Sequence, residues 1–258
     1  MSETESADSP HSEEEGALKE MAMYAIFCGL TPMIPIPFID DWALRSLKRQ
    51  QFKRIFADKK KDLDLGEHSA AIHTLACGVK ESFTCVGCFL FVPNFIFKKI
   101  ILYTIKKIIK KLIFVLSMKD AVDVSSHSFH EACLFRVLLN KDYLNEKTLA
   151  DENCINHMRR SMEKCCEEHE TKPVEKIIVE LFNEKKSILL ACLKPLVVLI
   201  KKARRIGKDI DEQDLHVDEI MGLSEILANK ISENEGYIDK LECHFIEIYE
   251  ASLGEDKN

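Results

Sequence analysis

Apolar and polar positions alternate along this chain with helical spacing, and no stretch shows strand-like alternation long enough to suggest a sheet. From Ala17 to Gly29 apolar residues run almost without interruption, which suits a helix that is buried on all sides or dips into a membrane. Pro32, Pro35 and Pro37 fix φ and remove backbone donors. The helix should therefore end by Thr31 and the chain should cross Pro32 to Pro37 extended. Asp40 or Asp41 is then placed to cap a new helix beginning at Trp42, in which Leu44, Leu47, Phe52, Ile55 and Phe56 form an apolar face. Arg45, Lys48, Arg49, Lys53 and Arg54 form a cationic one.

Further along, the pattern predicts a helix from about Glu67 to Val92, with a turn or kink at Pro93 and Asn94. From Lys98 to Leu116, at 100° per residue, Ile101, Leu102, Ile105, Ile108, Ile109, Leu112, Ile113, Val115 and Leu116 share one side. Lys99, Lys106, Lys107, Lys110 and Lys111 lie opposite. That segregation fits an interfacial helix, and equally a helix packed on the hairpin before it with its lysines in water. A helix over Asp120 to Leu139, a loop over Asn140 to Asn145 and a polar helix over Asp151 to Glu170 follow. Next comes one helix from about Pro173 to Arg205, kinked or split at Pro195, and then an acidic region from Gly207 to the end, holding two helices separated near Gly236. The expected fold is an all-α, irregular multi-helix bundle: residues 1–16 a disordered acidic tail, and 17–258 one helical domain with 207–258 its acidic part.

Charge adds something that periodicity does not. The formal net charge of -7 over 258 residues conceals acidic ends around a basic centre, Arg45 to Lys61 and Lys98 to Lys119. The centre needs either an external anionic partner or the chain's own acidic ends. Ten cysteines, set in apolar or helical stretches, point to a reducing, cytoplasmic compartment, and the acidic N-terminus is unlike a secretion signal. Met21 to Ile39 reaches the length of a membrane span only by including three prolines, so a re-entrant or interfacial segment, or a core helix, is the expectation there.

The segment GLTPMIPIPFIDDWALRSLKRQQFKRIF resembles the Pro-x-Pro-x-x-Asp segment and cationic helix of bacterial EcsC-like proteins and of a GTPase-associated membrane domain. The likeness extends through the amphipathic region to Asp120 and the helix VDVSSHSFHEACLFRVLL. It implies an all-α fold near membranes and no catalytic residues. The nucleotide-binding domain of the GTPase-associated members has no counterpart in this chain.

Candidate chemistry is sparse. Cys85 and Cys88 form a single CxxC in apolar surroundings, and Cys154, His157, Cys165 and His169 share a helix face but extend over about 22 Å, too far for one metal. His127 and His130 lack the carboxylate of a metalloprotease motif, and no phosphate-binding or nucleophile-elbow motif is present in the sequence. No cofactor or structural metal is expected, and no enzyme. The reading is a cytoplasmic helical protein held peripherally on anionic membrane lipid by Lys99, Lys106, Lys107, Lys110 and Lys111. The alternatives are a soluble adaptor for an acidic protein partner and a metal-dependent enzyme. Nucleic acid is disfavoured because aromatic residues do not interleave with the basic runs.

Overall fold

In the computed structural model the described residues are 10–34, 39–78, 101–210, 215, 218–234 and 236–255, with side chains described for all of these except 10–12, 101–116 and 254–255. Among them every regular element is helical. The order is α1 (Pro10–Leu30), a 3-10 turn (Thr31–Met33), α2 (Ile39–Lys59), α3 (Ser69–Cys77), α4 (Ile101–Asn140), α5 (Glu146–Leu149), α6 (Glu152–Glu168), α7 (Lys172–Glu184), α8 (Lys186–Ile206), α9 (Asp218–Ser232) and α10 (Tyr237–Glu255).

The apolar stretch of α1 lies at the centre of the bundle. Every residue from Met21 to Leu30 is buried, and α1 is flanked by α2, α4 and α9. A helix apolar all round needs neighbours on every side, and here protein supplies them, so the membrane-dipping alternative for this segment is set aside. Gly29 sets the closeness of the central pair. A Cβ there would stand 2.6 Å from the Ala121 carbonyl oxygen and 2.8 Å from Ser125 Cβ. α2 runs alongside α4 in the same direction, as its contacts show: Lys48 meets Glu131, Phe52 stacks on Phe135 with ring centroids 4.3 Å apart, and Lys60 meets Asp142. One contiguous apolar core draws residues from α1 through to α10.

Several expected boundaries move. α1 begins at Pro10 rather than Ala17, so the second half of the expected acidic tail is helical. Thr31–Met33 forms a 3-10 turn instead of extended chain. Thr31 Oγ1 donates to the Cys28 carbonyl at 2.7 Å, and Ile34 N–H donates to the Thr31 carbonyl at 3.0 Å, which satisfies groups freed at the helix end. α3 stops at Cys77, fifteen residues short of Val92, because Gly78 takes a φ of 71°, open to glycine and costly for other residues. The two helices expected over Lys98–Leu116 and Asp120–Leu139 are one continuous α4 from Ile101. The helix expected over Pro173–Arg205 breaks at Lys185, and Pro195 is accommodated inside α8. The loop after Asn140, the start of α6 near Asp151 and the break at Gly236 fall as expected, with Asp151 itself the cap of α6.

Candidate functional site

The lysine-rich element occupies the N-terminal half of α4. Its backbone is helical from Ile101, which places Lys106, Lys107, Lys110 and Lys111 on α4, while Lys99 and the apolar run Phe83–Phe97 lie outside the described residues. At 1.5 Å per residue, the twenty residues from Ile101 to Asp120 make about 30 Å of helix ahead of Ala121, which is buried. α1 runs antiparallel to α4 and reaches Ala121 at its last turn, so this stretch continues past the end of the central helix.

The C-terminal half of α4 is fixed by charge as well as by packing. Glu131 is fully buried and forms ion pairs with Lys48 of α2 and with Arg159 of α6, the latter at 2.7 Å. Arg159 also donates to the Leu75 carbonyl at 2.8 Å and to Glu163 at 2.7 Å, so three helices meet at one carboxylate and α3 is tied in through Arg159. Glu131 Oε1 also lies 3.3 Å from His127 Nε2. The two residues are four apart on α4. Burial alone would raise the Glu131 pKa. Lys48, Arg159 and His127 outweigh it and hold the carboxyl well below the usual range. Immediately before Glu131 in α4, fully buried His130 stands 2.6 Å from the Tyr237 hydroxyl and 3.4 Å from Ser126 Oγ, and burial lowers its pKa to about 4.

The cationic face of α2 is largely consumed inside the protein. Arg54 pairs with Glu20 at 3.0 Å, Lys48 with Glu131, and both Arg49 and Lys53 with Asp209. Ser46 ties Asp209 and the following backbone down, donating to its carboxylate at 3.3 Å and accepting from Ile210 N–H at 2.9 Å. Burial raises the Asp209 pKa, but hydrogen bonds and charges from Arg49 and Lys53 prevail and lower it. Of the two alternatives for the basic centre, the chain's own carboxylates answer the central cations of Arg45–Lys61: Glu20 and Asp209 from the two acidic ends, and Glu131 from α4. Glu131 and Asp209 were missed as partners because nothing local marks them. The available signal was the charge segregation of the chain as a whole.

Asp40 and Asp41 are also corrected. α2 starts at Ile39, which places both inside the first helical turn rather than at the cap. There their charges face the positive end of the helix. The Cys/His set is spread over separate environments. Cys154 donates to Asp151, His157 lies 2.9 Å from the Ser252 hydroxyl, Cys165 is buried, and His169 packs 5.6 Å from the His244 ring. Among the described residues no group of three His, Cys, Asp or Glu side chains is arranged to hold a metal, and Cys85 and Cys88 lie outside them. Each described cysteine is free, and burial pushes the Cys28 thiol up to about 11 and those of Cys133 and Cys165 to about 12.

Comparison of the chain with protein-family models, with curated proteins and with solved structures finds no match. Among the described residues no helix is long and apolar enough to cross a membrane.

Proposed function

We propose that this protein attaches peripherally to an anionic membrane surface, on the cytoplasmic side, through the N-terminal half of α4, and performs no catalysis. The observation that supports this is the continuity of α4: one helix of 40 residues whose buried half is clamped through Glu131 and whose other half carries the segregated lysines and isoleucines. A rigid helix anchored at one end presents its charges together. Lys106, Lys107, Lys110 and Lys111 each contribute about 1 kcal/mol at an anionic surface, and apolar positions from Ile101 to Leu116 add burial at the acyl boundary. The resemblance carried by the Pro-x-Pro-x-x-Asp segment suits the same location. Arg45–Lys61 is not part of this surface, since Lys48, Arg49, Lys53, Arg54 and Lys60 are engaged by the protein's own carboxylates.

Vesicle sedimentation tests the reading. The protein is expected to pellet with vesicles containing phosphatidylserine and stay in the supernatant with neutral vesicles, with binding weakened but not erased by salt. Glutamate at Lys106, Lys107, Lys110 and Lys111 together should abolish pelleting while circular dichroism retains the helical signal. Wild-type protein that stays in solution with anionic vesicles at low salt would overturn the proposal in favour of a soluble adaptor.

A further inference from the structure

A cavity of about 320 Å³ opens between α2, α3 and the segment that follows α8. Its walls include Arg49 and Lys53 one helical turn apart on α2, His73 on α3, and Lys208 and Asp209 after the α8 terminus, with Trp42 on one side. Among the described residues lining it, three cations stand against one carboxylate. Asp209 engages Arg49 and Lys53, the latter at 3.3 Å, so one negative charge is shared between two positive ones. Lys208 is exposed and has no ion-pair partner among the described residues. Arg49 Nη1 lies 3.1 Å from His73 Nε2. A guanidinium only donates, so the imidazole nitrogen accepts.

Such a lining has an excess of about two positive charges, fixed donors of fork and point geometry, and an aromatic wall for a carbon skeleton. A cavity of this size admits a phosphate group with a few attached carbons. Asp209 keeps Arg49 and Lys53 extended toward the cavity, and the unpaired charge remains for a ligand to neutralise. We propose that this cavity binds a phosphate monoester dianion, with Lys208 and the outer donors of Lys53 and Arg49 on the phosphate oxygens and Trp42 against the organic part. The inference uses no residue of Ile101–Leu116 and stands apart from the membrane reading of α4.

Trp42 is the single tryptophan of the chain, so its fluorescence reports on this cavity alone. Titration of the full-length protein with glycerol 3-phosphate should give a saturable change in Trp42 emission, absent with glycerol and with sodium chloride at matched ionic strength. Lys208→Glu, an exposed substitution that leaves the Asp209 contacts in place, should weaken binding by about tenfold or more with an unchanged melting temperature. Vesicles containing phosphatidic acid separate the two sources of this chemistry. A Trp42 response to both vesicles and glycerol 3-phosphate assigns a lipid headgroup, and a response to glycerol 3-phosphate alone assigns a soluble ester. No response to either up to about 10 mM, the edge of useful affinity, or equal binding by Lys208→Glu, overturns the proposal.

Discussion

Glu131 illustrates how one side chain organises its surroundings. A fully buried carboxylate is costly unless its charge is answered, and Lys48 and Arg159, both nearly buried, answer it from two other helices. Removing the charge by Glu131→Gln leaves Lys48 facing Arg159 with Glu163 as the one carboxylate still in contact with the pair among the described residues. The expected loss is about 3 to 5 kcal/mol in urea denaturation. A loss below about 1 kcal/mol would show that Lys48 and Arg159 find water or other partners instead. At this scale the sequence was only partly legible. Lys48 stood out as one lysine in a cationic helix face and Glu131 as one acid in a polar-apolar pattern, but their sequence separation of 83 residues gives no local cue that they meet.

Helix boundaries follow local chemistry where a proline, a glycine or a capping side chain imposes it. α1 ends before Pro32, α6 begins at Asp151, whose carboxylate accepts from Asn153 N–H at 2.9 Å, and α8 ends at Gly207 with a φ of 72°. The junction of the two expected helices in α4 carries no such residue: Ser117, Met118 and Lys119 allow a break without requiring one, and the helix runs on through them. α2 offers a test of charge against capping. Asp40 sits in its first turn, and Asn caps a helix about as well as Asp does. Asp40→Asn should cost a few tenths to about 1 kcal/mol through loss of the charge at the helix N-terminus, and the cost should shrink in salt. No change on Asp40→Asn, combined with a loss on Asp40→Ala, would restore the capping role expected from the sequence.

At the scale of the whole molecule, two buried titratable groups on α4 tie stability to pH in one direction. His130 has a pKa of about 4 in the fold against an ordinary 6.5, so its contribution is complete above about pH 6.5 and is lost as the pH falls toward 4. Glu131, held below the usual carboxylate range, adds a contribution that is present above 4.5 and is lost as the pH falls through its folded value. The groups facing His130 are His127 and Glu131 on its own helix, His169 after α6, and Tyr237 on α10. Urea midpoints should decline between pH 7 and pH 5, with His130 alone accounting for on the order of 3 kcal/mol by pH 4. A flat profile from pH 7 to pH 5 would mean that His130 gains a proton without opening the core.

The sequence by itself determined the helical class, the central apolar helix and the breaks near Pro32, Gly207 and Gly236, because periodicity and helix-breaking residues act over a few residues. Tertiary structure decided where the charges go. Glu20, Glu131 and Asp209 reach Arg54, Lys48, Arg49 and Lys53 across 34, 83 and about 160 residues, turning an apparent basic surface into internal ion pairs. Coulomb attraction depends on distance in space, and a linear pattern carries that distance only within one helix. The N-terminal half of α4 is the converse case: its lysines and isoleucines are ordered by the period of a single helix, and that pattern was already written in the chain.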